Sequence, residues 1–246
     1  IRYMEVTGMN YIIETILDLL FPRRCPVCGQ IIMPKGNLIC PGCIRKLSWV
    51  RGPVCKCCGK EIISETAEYC SDCAIHPRSF SNGMALLNYN EISAPSLAKI
   101  KYHNHREYLD FYAEAAYRKY AARIARLSPD LIIPVPVHKS RMKKRGFNQA
   151  EEFGKRLSHY LEIPMNSSLL IRSKKTVPQK DLGPALRLKN LEQAFSCRKL
   201  PYRMKKVLLI DDIYTTGSTA EACSRALKKA GAEQVFLLVI ATSSNR

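Results

Sequence analysis

Two adjacent carboxylates followed by a run of small hydroxyl side chains stand out near the C-terminus of the chain. Asp211 and Asp212 come directly after the apolar run Val207–Ile210, and the hydroxyl residues surround Gly217. Neighbouring carboxylates accept hydrogen bonds from vicinal hydroxyls such as those of a ribose. Hydroxyl groups and free backbone N–H groups bind phosphate, and a glycine lets the backbone approach it closely. The pattern predicts a sugar-phosphate site, with the sugar on the acids and the phosphate on Thr215, Thr216, Gly217, Ser218 and Thr219.

The elements around this stretch would place it at the edge of a parallel sheet. Val207–Ile210 has the continuous apolar character of a strand buried on both faces, and we expect it to end at the acid pair. A helical pattern follows over residues 218–229, and a second apolar run covers Val235–Ile240. This order is a βαβ unit, and ligands of such sheets bind beyond the carboxyl ends of the strands. The alternative is an ordinary buried strand followed by helix-capping residues, but the full string of residues 207–219 favours a ligand site.

A second apolar run leads into the most basic segment of the chain. Leu131–Val137 is a predicted strand, and five cations occur within Lys139–Arg145. If this strand ends at the same sheet edge as the acid pair, its cations can neutralise a pyrophosphate, which Arg binds with a planar fork and Lys with a point charge. The alternative is a solvated basic loop. The position directly after a buried strand favours pyrophosphate binding by the cations of this segment, among them Lys139 and Arg141.

The N-terminal part of the chain contains nine of the eleven cysteines, between residues 25 and 73. Eight of them form four C-x-x-C pairs in two repeats offset by 30 residues. Gly29 and Gly59 follow the second cysteine of each repeat, where a knuckle needs a tight positive-φ turn. Such pairs predict structural Zn²⁺, one ion or two, with the ligands Cys25, Cys28, Cys40, Cys43, Cys55, Cys58, Cys70 and Cys73.

Two features of the cysteine module stay open at the level of sequence. A disulfide framework also uses an even number of cysteines, although the absence of a secretory signal and the repeated C-x-x-C spacing favour zinc. Equal spacing within each repeat suggests that consecutive pairs share an ion, and cross-bracing between alternate pairs is the other arrangement. Cys57 is a spare thiol inside the third pair, and we expect Cys197 and Cys223 to be ordinary buried residues.

Composition limits the classes of function. The formal net charge is +18, and residues 83–246 carry 29 Lys and Arg against 14 Asp and Glu. A field of this strength attracts polyanions such as nucleic acid or pyrophosphate-bearing substrates. No apolar run approaches the roughly 20 residues that cross a bilayer, and no signal peptide is recognised, so we expect a cytoplasmic protein with no membrane span.

The motifs resemble those of a known family. Residues 207–219 resemble the PRPP-binding motif of type I phosphoribosyltransferases, where PRPP is 5-phosphoribosyl 1-pyrophosphate. The string Val135–His138 with Arg141, followed by Arg145–Ala150, resembles the ComF family of competence-associated phosphoribosyltransferase-like proteins. With the cysteine pairs in front, the resemblance covers nearly the whole chain from about residue 21.

The resemblance implies an α/β, type I phosphoribosyltransferase fold, a parallel sheet flanked by helices, with a small N-terminal zinc-binding module of four-cysteine type before it. The expected division is an N-terminal extension or short helix at residues 1–20, the cysteine module at 21–78 and the phosphoribosyltransferase-like domain at 79–246. Asp211 and Asp212 would be the catalytic residues that hold the ribose of PRPP. The resemblance also implies a pyrophosphate-binding loop with Val137, His138, Lys139 and Arg141. A flexible loop with Gln179 and Arg187 would close over the substrate.

Two functions follow from the resemblance. One is an enzyme, a phosphoribosyltransferase that transfers phosphoribose from PRPP with Mg²⁺ to a nucleobase or another nitrogen nucleophile, or a sensor of PRPP, linked to DNA uptake and natural competence. The other is a non-catalytic accessory factor of DNA uptake that binds single-stranded DNA and acts with a helicase partner.

Overall fold

The computed structural model describes residues 21–173 and 193–243 and divides the chain into two compact units. The first unit is Ile1–Leu47 and the second is Ser48–Arg246. In the first unit Arg24 and Ile31 form an antiparallel bridge, and the helix α1 covers Pro41–Ile44. The predicted segment at residues 1–20 lies outside the described residues, and the domain boundary expected after residue 78 stays a prediction.

The second unit is built on a four-stranded parallel sheet. After the helix α2, Ser71–Ile75, its strands are β1 (Ser81–Tyr89), β2 (Leu131–Pro134), β5 (Lys206–Tyr214) and β6 (Gln234–Ser243), in the spatial order β1-β6-β5-β2. The central strands are buried on both faces because their side chains are apolar at consecutive positions. Two short strands, β3 (Leu170–Arg172) and β4 (Phe195–Cys197), pair antiparallel in a separate sheet. The predicted parallel sheet is confirmed.

Helices connect and cover the sheet. The helices α3 (Ser93–His103) and α4 (Tyr108–Leu127) lie between β1 and β2, and α5 (Lys139–Arg145) and α6 (Gln149–Leu161) follow β2. The helix α7 (Ser218–Lys229) joins β5 to β6 and contacts both. In turn α6 packs against α4, β2 and β5. No helix within the described residues is long and apolar enough to span a membrane.

Several boundaries differ from the sequence prediction. Strand β2 ends at Pro134 rather than at Val137, and β6 extends beyond Val235–Ile240 at both ends. Strand β5 does not end at the acid pair, since Ile213 and Tyr214 still pair with Ala241 and Thr242 of β6. The neighbouring strand β6 is long enough to supply partners on that side. The basic segment is also not a loop throughout, because residues 139–145 form α5, which ends at Gly146 with a φ of 78°. A left-handed glycine at this position is a common helix terminator.

Candidate functional site

The carboxyl ends of β2 and β5 lie side by side and open onto a cavity of about 440 Å³. Pro134, the last residue of β2, pairs with Ile210, so Asp211 and Asp212 continue β5 at the edge where β2 leaves the sheet. This is the place where open α/β sheets bind ligands. The cavity is lined by Lys101, Tyr102, Val135, Pro136, Val137, Arg141, Lys144, Arg145, Asn148, Gln149, Arg172, Asp211, Asp212, Ile213 and Thr219.

Asp212 is held by two residues from different helices. The ammonium of Lys101, near the end of α3, lies 2.8 Å from its carboxylate. Gln149 at the start of α6 donates a hydrogen bond of 3.1 Å to the same carboxylate oxygen. Asp212 is 8% exposed, and a carboxylate this deeply placed needs such compensation. The Oε1 atom of Gln149 is buried and has no hydrogen-bond partner among the described residues, so it offers a free acceptor at the cavity wall.

Asp211 is in a different electrostatic state. Removal from water and the neighbouring charge of Asp212 raise the pKa of Asp211 to about 8, although the charge of Lys101 acts in the opposite direction. Its carboxylate also accepts a hydrogen bond of 2.9 Å from the backbone N–H of Asp212. The protonated form of Asp211 is therefore favoured, because two adjacent carboxylates in a poorly solvated place do not both ionise easily.

The hydroxyl loop, residues 215–219, lies against a smaller cavity whose wall also includes Asp211 and Ile213. Gly217 has a φ of 75° and is the N-cap of α7, so the first amides of this helix have no capping side chain. Thr216 and Ser218 share a hydrogen bond of 3.0 Å between their hydroxyls. A helix N-terminus with free N–H groups and nearby hydroxyls suits a phosphate.

The predicted pyrophosphate residues are only partly brought together. Val137 and Arg141 line the larger cavity, whereas His138 and Lys139 do not. The ring nitrogen Nδ1 of His138 accepts a hydrogen bond of 3.1 Å from the N–H of Ser140, so His138 caps α5. The predicted loop residues Gln179 and Arg187 lie outside the described residues.

Sequence reasoning assigned no role to several residues of the larger cavity. Lys101 belongs to none of the motifs described above, and Gln149 appears only within the string Arg145–Ala150. Arg172, on β3, reaches the cavity and stacks its guanidinium over Phe195 at 5.1 Å. Burial and the charge of Arg141 lower the pKa of Arg172. A tertiary contact between distant segments leaves no local pattern, so no spacing rule finds these residues.

Within the described residues, eight cysteines form two clusters of four. The first ribbon, in the first unit, holds Cys25, Cys28, Cys40 and Cys43; the second ribbon, residues 48–78, holds Cys55, Cys58, Cys70 and Cys73. Consecutive pairs therefore group together, and the cysteines are free thiols rather than disulfides.

The clusters have the geometry of structural zinc sites. Four thiolates at Zn–S distances of about 2.3 Å in a tetrahedron are about 3.8 Å apart. The sulfurs of Cys28 and Cys40 are 3.9 Å apart and those of Cys58 and Cys70 are 3.8 Å apart. Cys57 belongs to neither cluster, since its thiol faces the carbonyl of Phe80 at 3.5 Å.

Comparison with protein families agrees with this architecture. Residues 16–74 match the model of the double zinc ribbon domain, and residues 101–246 match that of the phosphoribosyl transferase domain. A purine phosphoribosyltransferase from Pyrococcus horikoshii is a weak structural match, with a TM-score of 0.36 and 22% identity over 54% of this chain and 74% of that one.

Three relatives align over most of their length. Competence protein F of Haemophilus influenzae is 32% identical over 222 residues, which is 87% of this chain and 95% of the relative. Competence protein ComFC of Bacillus subtilis is 24% identical over 91% of this chain and 92% of its own. DNA utilization protein YhgH of Escherichia coli K12 is 27% identical over 88% of this chain and 96% of its own.

Proposed function

The chain belongs to the ComF family of phosphoribosyltransferase-like competence proteins, and we propose that it binds PRPP with Mg²⁺ at the sheet edge beside Asp211 and Asp212. One observation carries the proposal: Asp211 borders both the small cavity at the hydroxyl loop and the larger, cation-lined cavity, and Asp212 lines the larger one. PRPP has the matching order of groups, with a 5′-phosphate, a ribose and a pyrophosphate. A cytoplasmic location fits a ligand of this kind.

Each part of the site has a role in this proposal. The carboxylates of Asp211 and Asp212 accept hydrogen bonds from the ribose hydroxyls, and the hydroxyl loop with the N-terminus of α7 binds the 5′-phosphate. The pyrophosphate lies near the segment Val137–Arg141, where His138 caps α5 and Lys139 adds charge at the rim. Arg172 and Lys144 on the wall of the larger cavity increase the positive field. Such cations stabilise a diphosphate more strongly in a poorly solvated cavity than in water.

The reaction that fits this ligand is transfer of phosphoribose to a nitrogen nucleophile. The nitrogen lone pair forms a bond to C1 of the ribose, the bond from C1 to the pyrophosphate oxygen breaks, and pyrophosphate leaves with the bonding electrons. The proton of the nucleophile passes to the departing pyrophosphate. Mg²⁺, when bound with PRPP, supplies additional positive charge to the pyrophosphate. The cationic residues hold the leaving group while positive charge develops on the ribose.

Calorimetric titration with PRPP and Mg²⁺ tests the proposal. We expect the wild-type protein to bind and the Asp211→Asn/Asp212→Asn variant to lose binding, because amides keep the size of the side chains but replace one acceptor oxygen of each with an NH₂ donor. Glu233→Gln is the matched control, since Glu233 is an exposed carboxylate paired with Lys205. Absence of binding by folded, zinc-loaded wild-type protein would refute the proposal. Binding would justify a screen of nucleobases for release of pyrophosphate.

A second function is favoured by the exposed basic helix α5 and by the names of the relatives. None of the seven residues of α5 is buried, and five of them are cationic. In this alternative the helix binds single-stranded DNA as part of an accessory factor of DNA uptake, together with a helicase partner. Binding of this type releases counterions, so its affinity falls steeply with salt.

The salt dependence of single-stranded DNA binding separates the two functions. Each lost phosphate contact lowers the slope of log K against log salt by about 0.7 for a single strand. We therefore expect Lys143→Gln, a change that leaves the lining of the larger cavity intact, to reduce the slope by about 0.7 if this residue contacts a phosphate. An unchanged slope would exclude Lys143 from the DNA contact and would leave the proposal of PRPP binding untouched.

A further inference from the structure

We propose that Arg78 positions the hydroxyl loop and makes the second ribbon a structural part of the phosphate site, so that loss of zinc from this ribbon weakens phosphate binding. The second ribbon and the hydroxyl loop belong to the same compact unit. The inference uses the proposed PRPP binding for one of its readouts. The contacts that support it join the ribbon and its exit segment to the loop itself.

Arg78 connects a zinc knuckle to the backbone of the hydroxyl loop. Its Nη2 atom donates a hydrogen bond of 2.6 Å to the carboxylate of Asp72, which stands between Cys70 and Cys73. The same nitrogen donates a hydrogen bond of 3.2 Å to the backbone carbonyl of Thr216. The Arg78 side chain is 7% exposed. A buried guanidinium with these two acceptors holds both in a defined geometry, because its hydrogen bonds have fixed directions.

The contact with Thr216 fixes the direction of a backbone amide. In a trans peptide the carbonyl and the following N–H point in opposite directions. Because the Thr216 carbonyl faces Arg78, the N–H of Gly217 points away from Arg78. Gly217 lies on the wall of the small cavity where the 5′-phosphate is placed by the proposed function. Arg78 therefore orients a backbone N–H group that is a candidate hydrogen-bond donor to the phosphate, and it does so without touching the ligand.

Two further links join the same segment to the start of α7 and the end of β5. Ser79 donates through its N–H and its hydroxyl to the carboxylate of Glu221, both at 2.8 Å, and Glu221 is 1% exposed in the first turn of α7. Tyr214 lies directly before the loop. The ring of Phe80 packs edge-on against the ring of Tyr214, with 6.2 Å between their centroids. The ammonium of Lys60 lies over the same ring, 5.4 Å from its centroid. The ribbon and the two residues that follow it, Ser79 and Phe80, thus contact residues before, within and after the loop.

The ribbon is also anchored to the sheet by close backbone contact. The N–H of Gly83 on β1 donates to the carbonyl of Cys57 at 2.7 Å. A Cβ on Gly59 would lie 2.6 Å from the carbonyl oxygen of Gly83, so only glycine fits this approach. Lys60 follows one zinc knuckle and Asp72 lies in the other. Zinc ties the two knuckles together, so its loss would free Lys60 and Asp72 to move relative to each other and to release the loop.

The first arm of the test replaces Arg78 and leaves the cysteines intact. We expect Arg78→Met to keep two zinc ions per chain, to lower PRPP affinity about tenfold, which is about 1.4 kcal/mol, and to speed amide hydrogen exchange of residues 215–220. Arg78→Lys should recover part of both losses, because an ammonium can still donate to the Thr216 carbonyl. Lys56→Met is the matched control, since Lys56 forms an exposed ion pair with Glu68 in the same ribbon.

The second arm removes the metal from one ribbon at a time. Cys55→Ser/Cys58→Ser and Cys25→Ser/Cys28→Ser each remove two thiols, but none of the contacts described above involves residues 21–47 of the first unit. We expect faster exchange of residues 215–220 and weaker PRPP binding in the variant of the second ribbon, and neither change in the variant of the first.

The outcomes keep this inference distinct from the proposed function. If wild-type protein does not bind PRPP, the proposed function fails, and hydrogen exchange still decides whether Arg78 and zinc hold the loop. Equal exchange of residues 215–220 in wild type and Arg78→Met, with zinc retained in both, would overturn the inference. So would PRPP binding of unchanged affinity in that variant.

Discussion

Replacement of Gly217 by alanine should lower the free energy of unfolding for two separate reasons, the backbone conformation of the hydroxyl loop and its close packing. The residue has a φ of 75°, which L side chains rarely adopt. A Cβ at this position would lie 2.6 Å from Cζ and 2.8 Å from Cε2 of Tyr214, and closer still to the hydroxyl of that residue. Tyr214 is 3% exposed and cannot easily move aside, because packed interiors leave little free volume.

Gly146→Ala is the matched control for the backbone cost. Gly146 has a φ of 78°, but a Cβ there would meet only the Nη2 atom of Arg106 at 3.7 Å, an ordinary contact. The left-handed conformation costs about 1–2 kcal/mol for a non-glycine residue. Overpacking adds about 1–3 kcal/mol where neighbours cannot yield. We therefore expect Gly146→Ala to lower the free energy of unfolding by about 1–2 kcal/mol and Gly217→Ala by about 2–5 kcal/mol.

Denaturant unfolding of the zinc-loaded protein measures both values. In a chain of this size each kcal/mol corresponds to about 2–4 °C in Tm, so thermal unfolding should separate the two variants. A Tyr214→Ala background should remove the excess cost of Gly217→Ala and leave only the backbone part, as a double-mutant cycle requires. Equal losses for Gly217→Ala and Gly146→Ala would refute the argument that Tyr214 excludes a side chain at the loop.

Two further predictions concern the acid pair. Lys101→Met should lower the free energy of unfolding by about 2–3 kcal/mol, because Asp212 is left without its cation in a place with little solvent. Lys205→Met should lower it by less than about 1 kcal/mol, because the pair with Glu233 is exposed. Equal losses for the two variants in denaturant titrations would contradict this prediction. The pKa of Asp211 is raised from 3.8 to about 8, so its protonated form favours the fold at low pH, and this contribution is lost as pH rises through the folded pKa. Wild-type stability should therefore fall relative to Asp211→Asn between about pH 4 and about pH 8, and parallel pH profiles of the two proteins would show that Asp211 does not titrate in this range.

Local patterns predicted much of the fold. Continuous apolar runs marked β2, β5 and β6, because strands buried on both faces tolerate no polar side chains at consecutive positions. The helix α7 was predicted over its observed range from its helical pattern. The equal spacing of the cysteine pairs favoured the grouping of consecutive pairs that the structure has, since short loops bring neighbouring knuckles together at the lowest entropic cost. The end of β5 was predicted too early because its last pairs depend on the length of β6.

The candidate site likewise has one part that the sequence predicts and another part that only the tertiary structure shows. Asp211, Asp212 and the hydroxyl loop are contiguous in sequence, so their residue types alone were enough to predict a candidate sugar-phosphate site at a strand end. The contacts of Lys101 and Gln149 with Asp212 join positions 111 and 63 residues apart in the chain, and that of Arg78 with Thr216 joins positions 138 apart. The sequence by itself determined the elements and the chemical groups at their ends, because backbone preference and side-chain chemistry are local. Only the tertiary structure decided which charges compensate one another and which ribbon supports the loop, because those pairings depend on how the helices and the ribbon pack on the sheet.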